Sequence, residues 1–383
     1  MKIAYIGDLI NHGTSLQTPG TSLIILLSEM EDVSKIDVYC PRENTTTEEF
    51  KIPKNVNIIS FYSYDNFISI SRLLSVRWKS YDLVIFNMLP TGFGKGTISN
   101  LMALITPLLL IKSLKVKNIK ILYHNSKFTT DIKKLGYNSF YNSVRSYFLG
   151  KLERIIFKNI PTYVILDLYK ERIDRAIGKN LVLSLDTRYL DAIPTIYINN
   201  YMDIKLIKID KSDVPVILLH GFWGPQKNLE LVLSTLFILR NEGVKFKLII
   251  SGGINTHFSN YKAKFNKLIA DYSDTVDEYL GYVKEKEIMN IFLKSDLIIL
   301  PYNTPGGHSG VLDQSMFFEV PTIAFDFPEY REQSLGSQNV KLIKPEELIT
   351  VLKEVLNFEE KNDIINIESK IRFVRKNIKS ILD

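Results

Sequence analysis

A single cysteine, Cys40, occurs in 383 residues, so no intramolecular disulfide can form and a reducing, intracellular compartment is expected. Long apolar runs are equally scarce. The longest, "LMALITPLLLI" at Leu101–Ile111, is about half of a bilayer span and is interrupted by Pro107, so it reads as a buried helix. The opening "MKIAYIGDLI" carries one lysine and reads as a first buried strand, with no signal peptide expected ahead of it. The five histidines, His12, His124, His220, His257 and His308, share no paired ligand spacing, and no metal centre is expected. There is no low-complexity tract, and neither a nucleic-acid-binding module nor a continuous basic run is seen. "TGFGKG" at Thr91–Gly96 lacks the helix-start lysine of a P-loop and the spacing of a dinucleotide fingerprint, so it reads as a plain loop.

What is present is an alternation. In the first half, "KIAYIGD", "KIDVYCP", "VNIISFY", "YDLVIFNM", "KILYHNS" and "TYVILD" are short runs rich in β-branched residues, mostly separated by helical stretches. In the second, "VPVILLHG", "FKLIISGG", "DEYLGYV", "DLIILPY", "VPTIAFD" and "VKLIK" repeat the scheme. Nearly continuous apolar strands alternating with helices predict α/β domains with parallel sheets covered on both faces. The length also calls for two cores. The polar stretch Ile196–Pro215 is the expected boundary, giving domains at 1–204 and 205–345, with C-terminal helices at 346–383 that are candidates to pack back toward the first domain.

Charge is unevenly placed. The net charge is +6, yet residues 1–200 hold 25 Lys+Arg against 17 Asp+Glu, and the remainder holds 23 against 25. A basic first half suggests an acidic partner, a phosphate group or an anionic membrane surface. "FYNSVRSYFLGKLERIIFK" (Phe140–Lys158) mixes four cations with aromatics and reads equally as a core helix or as one lying in a headgroup layer.

In doubly wound sheets, ligands bind beyond the carboxyl ends of the strands. Several polar turns fall there: "HGFWGPQKN", "SGGIN", "LGYV" and "PGGHSGV". The last joins a strand to a helix through Gly-His-Ser-Gly, an arrangement that frees backbone N–H groups for an anion such as phosphate. Near the other end, Gly20, Thr21 and Ser22 are expected to open a helix and form a second anion-binding candidate. His124 closes a strand in "YHNSK" beside the same kind of edge.

The second half resembles the GT-B glycosyltransferases of the retaining family 4 type over about 180 residues. The resemblance rests on "HGFWGPQKNLELVL", "VKFKLIISGG", "VDEYLGYVKEKEIMNIFLKSDLIILPY" and "SGVLDQSMFFEVPTIAFD", with "INNYMD" before them. It implies two doubly wound Rossmann-like domains facing across a cleft. It also implies sugar transfer from a nucleotide-diphosphate sugar to a hydroxyl acceptor, with retention and without a metal. No cofactor is expected beyond the sugar nucleotide, UDP- or GDP-linked.

The matching positions place Lys227 on the donor diphosphate and the backbone N–H groups of Ser309, Gly310 and Val311 around its oxygens. Gly221, Tyr282, Val283, His308, Gln314, Gly20 and Thr21 fill out the donor side, and His124 stands near the reacting sugar. Four positions depart from the family, one of them Asn125, which replaces a frequent aspartate after His124. Phe222 replaces the arginine that partners the lysine, while Gly306 and Gln314 replace two glutamates that touch sugar and ribose. These departures keep a non-catalytic sugar-nucleotide or glycan-binding homologue open as an alternative. A sugar-nucleotide epimerase on the same fold is the second alternative. The acceptor is expected to be a glycan or lipid-linked, met at the cytoplasmic membrane face.

Overall fold

The computed structural model describes residues 1–8, 17–43, 52–89, 93, 97–129, 140–193, 212, 214–254, 260–270, 276–281, 283–304, 307–356 and 367–382. The chain divides into two compact units, Met1–Pro194 with Arg372–Asp383, and Thr195–Ile371. The division thus falls at 194/195 instead of 204/205, and residues 346–371 count with the second unit. The linker stretch 196–211 lies outside the described residues, as does the Gly-rich part of 91–96.

The first unit is built on seven strands: β1 (Lys2–Ile6), β2 (Lys35–Pro41), β3 (Val56–Tyr62), β4 (Leu83–Met88), β5 (Ile119–Tyr123), β6 (Thr162–Val164) and β7 (Val182–Ser184). All neighbours pair in parallel, in the order β3-β2-β1-β4-β5-β6-β7. The helices are α1 (Gln17–Ser28), α2 (Phe67–Ser71), α3 (Thr97–Lys112), α4 (Phe140–Asn159) and α5 (Asp167–Ile177). Strands β4 and β5 are buried along their whole length, as continuous apolar strands must be when helices cover both faces. The strand order reverses beside β1, and polar groups gather at that switch point.

The second unit repeats the plan with β8 (Val216–His220), β9 (Lys247–Gly252), β10 (Val276–Leu280), β11 (Leu297–Leu300), β12 (Thr322–Phe325) and β13 (Val340–Ile343). Their order is β10-β9-β8-β11-β12-β13, again all parallel. Its helices are α6 (Leu229–Asn241), α7 (Tyr261–Ala270), α8 (Glu285–Lys294), α9 (Gly310–Phe317), α10 (Pro328–Gln333), α11 (Leu348–Leu356) and α12 (Ile367–Ile378). One core joins Ile217, Leu219 and Leu248 of the sheet to Leu229, Leu233 and Leu236 of α6.

Helix α12 is shared between the units. Its Lys370 donates to the carbonyls of Met316 and Phe317 and pairs with Glu319 at 2.7 Å, which satisfies the C-terminal end of α9. Residues beyond Arg372 are held by the first unit. There Arg375 pairs with Glu29, Lys120 Nζ donates to the Ile381 carbonyl at 2.9 Å, and the Tyr163 hydroxyl donates to that of Ser380 at 3.0 Å.

The apolar run 101–111 lies in α3, where Leu104, Leu108 and Leu110 are buried while Leu101 is exposed. Among the described residues no helix is long and apolar enough to cross a membrane.

Candidate functional site

The Gly-rich turn after β11 does what its composition predicts, with one change. Ser309 is the N-cap of α9, and its side chain accepts from the Leu312 N–H at 3.3 Å. Among the described residues no acceptor meets the N–H groups of Gly310 and Val311, which begin the helix. The Ser309 N–H is not available in the same way: it donates to Gln333 Oε1 at 3.0 Å. The expected cradle of three amides is therefore reduced to two, because Gln333 at the end of α10 takes the third.

Gln333 is 1% exposed and also fixes its neighbours. With Oε1 occupied, its Nε2 donates to the Ser309 carbonyl at 2.8 Å and to His308 Nε2 at 3.1 Å. His308 thus accepts at Nε2, and its neutral ring carries the proton on Nδ1. Asp313 is fully buried, with Oδ1 at 3.9 Å from His308 Nε2. Gln314, in the ribose position of the resemblance, is 6% exposed.

Lys227 ends a short 3₁₀ turn, Pro225–Lys227, just before α6. The residue is half-buried, with its ammonium 3.3 Å above the centre of the Tyr302 ring. No carboxylate pairs with it among the described residues. Burial pushes its pKa down from 10.5 to about 7. His220, at the end of β8, is lowered to about 4, first by burial and then by the charge on Lys227, so it is neutral near pH 7.

Gly221 follows with φ +137, and a Cβ there would stand 3.6 Å from the Tyr302 hydroxyl, 3.7 Å from Lys227 Nζ and 3.8 Å from Val311 Cγ2. Gly221, Lys227 and Val311 are thus brought together, with Tyr302 beside them. Phe222 is 45% exposed. Val283 is buried, whereas Tyr282 and Gly306 lie outside the described residues.

In the first unit the carboxyl edge gathers Asp8 after β1, Asn87 in β4 and His124 after β5. His124 is 8% exposed, and its Nε2 lies 2.5 Å from Asn87 Oδ1. An amide oxygen only accepts, so His124 carries its proton on Nε2. The loop after His124 is anchored by Glu153 of α4, whose carboxylate accepts from the Tyr123 hydroxyl at 2.7 Å, Ser126 Oγ at 3.0 Å and the Lys127 N–H at 3.1 Å. Burial outweighs these donors and raises the Glu153 pKa to about 7. The phenols of Tyr5, Tyr62 and Tyr64 are buried here without hydrogen bonds of good geometry, although Asn87 lies near enough to temper Tyr5 and Asp8 near enough to raise Tyr64.

Gly20 and Thr21 need correction. The helix begins at Gln17, so Gly20, Thr21 and Ser22 fall in its interior; Thr21 and Ser22 are fully buried, and Ser22 Oγ donates to the Leu190 carbonyl at 2.6 Å. They do not open the helix. Gly20 is small because a Cβ would meet the Tyr5 hydroxyl at 2.5 Å and the Asp8 carbonyl at 2.7 Å.

Asn87, Glu153, Tyr302 and Gln333 were not anticipated. Asn87 had a visible signal, a polar residue inside an otherwise apolar strand. Glu153 had another, as the one acid in the basic run 140–159. Tyr302 and Gln333 had none, because their partners are distant in sequence.

Two parallel, doubly wound sheets in tandem, with polar turns at their carboxyl edges, have the plan of the GT-B fold. Residues 204–372 match the family Glycosyl transferases group 1. No curated protein matches the sequence.

Among solved structures, sucrose-phosphate synthase from Thermosynechococcus elongatus is similar, with a TM-score of 0.66 at 13% identity, over 100% of this chain and 94% of that one. Anabaena HepE in complex with UDP and glucose has a TM-score of 0.62 at 12% identity, over 100% and 97%. The UDP-GlcNAc 2-epimerase from Neisseria meningitidis, bound to UDP-GlcNAc, gives 0.55 at 13% identity, over 99% and 100%. At these identities the likeness is one of fold.

Proposed function

We propose that the protein is a metal-independent hexosyltransferase that moves a sugar from a nucleotide-diphosphate sugar to a hydroxyl acceptor with retention. The observation that carries this is Lys227: a half-buried ammonium, its pKa lowered by burial, without a carboxylate partner among the described residues and beside the N–H groups of Gly310 and Val311 that open α9. Isolating a cation in this way is costly unless an anion completes the site. A diphosphate supplies that anion, and the arrangement stabilises the charge it gains as it leaves. In this reading the bond from the anomeric carbon to the diphosphate oxygen breaks and one to the acceptor oxygen forms on the same face. The acceptor proton passes to the departing diphosphate.

Donor recognition is assigned to Gly221, Lys227, Tyr282, Val283, His308, Gly310, Val311 and Gln314, with Ser309 shaping the turn. The Asn87–His124 pair and the buried tyrosines of the first unit are assigned to the acceptor side. The acceptor itself is proposed to be a glycan or a lipid-linked hydroxyl at an anionic membrane face. A second reading, sugar-nucleotide binding without transfer, draws on Phe222 and Gln314 standing where the resemblance expects arginine and glutamate.

Incubation with a panel of UDP- and GDP-sugars tests the proposal. Slow hydrolysis of one donor, with a nucleoside diphosphate as the product, is expected. Binding with no hydrolysis and no transfer to any offered acceptor would favour the second reading. Interconversion of the sugar with the nucleotide intact would instead identify an epimerase.

A further inference from the structure

We propose that Tyr302 is a diphosphate-contacting residue whose hydroxyl donates to the same anion that Lys227 neutralises. This rests on the reading of the β8–β11 edge as a diphosphate site. Tyr302 is 5% exposed, and its hydroxyl is buried without a hydrogen bond of good geometry. Ser309 lies near enough to temper a phenol that burial otherwise raises well above its ordinary pKa. Buried hydroxyls are normally paired, and the exceptions in native structures call for an explanation such as an unfilled ligand site.

The geometry supplies that explanation. Three segments distant in sequence converge on one point in front of Gly221, placing the Tyr302 hydroxyl, Lys227 Nζ and Val311 Cγ2 between 3.6 and 3.8 Å from it. The missing side chain at Gly221 leaves the point open. Hydroxyl and ammonium can both donate there, so the occupant must accept at several oxygens and carry negative charge. A sugar hydroxyl or a carbonyl would satisfy the phenol but leave the cation unanswered; a diphosphate answers both.

Tyr302 also does for Lys227 what a carboxylate could not. With its ammonium 3.3 Å above the ring, Lys227 is held by a π face that attracts it without neutralising it, so the charge stays available. The two segments are tied by the Asn303 N–H donating to the Gln226 carbonyl at 3.0 Å, and the ring packs edge-on against Tyr330 at 6.2 Å. Gln226 Oε1, one residue before Lys227, is another buried atom of this corner without a partner. The position where the resemblance expects a second cation holds the exposed Phe222, and the phenol supplies a neutral donor in its place.

The test is calorimetry of the full chain with inorganic pyrophosphate, UDP, GDP and the free nucleosides, comparing wild type, Tyr302→Phe and Lys227→Ala. Phenylalanine keeps the ring under Lys227 and removes only the hydroxyl. The thermal midpoint of Tyr302→Phe is expected to be unchanged or higher, because an unpaired buried hydroxyl is lost. Affinity for pyrophosphate and for the preferred nucleoside diphosphate should fall about tenfold, with nucleoside affinity unchanged.

Wild-type-like pyrophosphate and diphosphate binding in Tyr302→Phe, with Lys227→Ala losing it, would overturn the proposal while leaving the diphosphate site standing. A lowered midpoint, or equal losses for nucleoside and diphosphate, would assign the hydroxyl a structural role and also overturn it. Failure of the wild type to bind any of these probes would remove both the site and the proposal.

Discussion

Lys227 meets two opposed demands. Its enclosure lowers the pKa to about 7, so the unliganded protein is partly neutral there at physiological pH. A bound diphosphate favours the ammonium and raises the pKa again. Below pH 7 the lysine is charged with or without ligand, and its contribution to affinity is flat. Above pH 7 binding must take up a proton, and affinity falls as pH rises toward the pKa of the complex. Calorimetry of UDP or GDP in buffers of different ionisation enthalpy should show proton uptake at pH 8 that declines toward pH 6, where the terminal phosphate of the ligand also titrates. Lys227→Met should abolish this uptake. It should also stabilise the unliganded protein at pH 7, on the order of a few kcal/mol, because an enclosed cation is replaced by an apolar chain of similar length. An unchanged proton count in Lys227→Met would separate the lysine from the anion. The position of this residue, though not its role, was legible in the sequence because its neighbours, a strand, a turn and a helix start, fix its place. Tyr302 was not, since its significance depends on Gly221 and Lys227, which only the parallel pairing of β8 with β11 brings beside it.

At the scale of elements, the turn that opens α9 is held by another helix. Gln333 bonds both the N–H and the carbonyl of Ser309 and also reaches His308. Gln333→Ala should leave the Ser309 amide unpaired in a dry environment, costing about 1–3 kcal/mol of stability. It should also weaken nucleoside diphosphate binding, because the start of α9 loses its fixed position. Thermal unfolding and calorimetry would check this, and a variant as stable as wild type would show that water replaces the amide.

The twelve strands anticipated from apolar runs are present; inner strands such as β4 and β5 are buried on both faces and write an unambiguous signal, while the edge strands β3 and β13, only partly buried, are long or β-branched enough to show. Strand β7 was missed: it is a three-residue edge strand of mixed burial, and "VLS" carries too little pattern to detect. The start of α1 was misplaced for a different reason. Gly-Thr-Ser looks like a capping sequence, yet close approach of Tyr5 and Asp8, a tertiary effect, is what demands the glycine.

For the whole molecule, the basic excess of residues 1–200 takes a definite form on α4. Val144, Tyr147, Phe148, Lys151, Arg154, Ile155 and Lys158 are exposed, at spacings that place them along one side of the helix. Lys151 lies 4.6 Å and Lys127 5.7 Å from the centre of the Tyr147 ring. The helix has one acid, Glu153, and it is fully buried, so the exposed side presents aromatics and cations with no carboxylate between them. Such a surface complements anionic lipid, with aromatic rings at the headgroup level and each cation contributing about 1 kcal/mol. Three cations and two aromatics would support only weak, reversible attachment, whose electrostatic part should fade as the screening length shrinks from about 10 Å at 0.1 M salt to about 3 Å at 1 M. Co-sedimentation with vesicles rich in anionic lipid is therefore expected at low salt, with little at high salt and little on neutral vesicles. Replacing Lys151 and Lys158 by glutamine should sharply weaken binding to anionic vesicles with little change in the thermal midpoint, since both side chains are exposed, whereas Arg154 also donates to the Ala176 carbonyl at 3.1 Å. Binding that ignores salt and lipid charge would reassign the surface to a different partner, and no binding at all would favour a soluble acceptor.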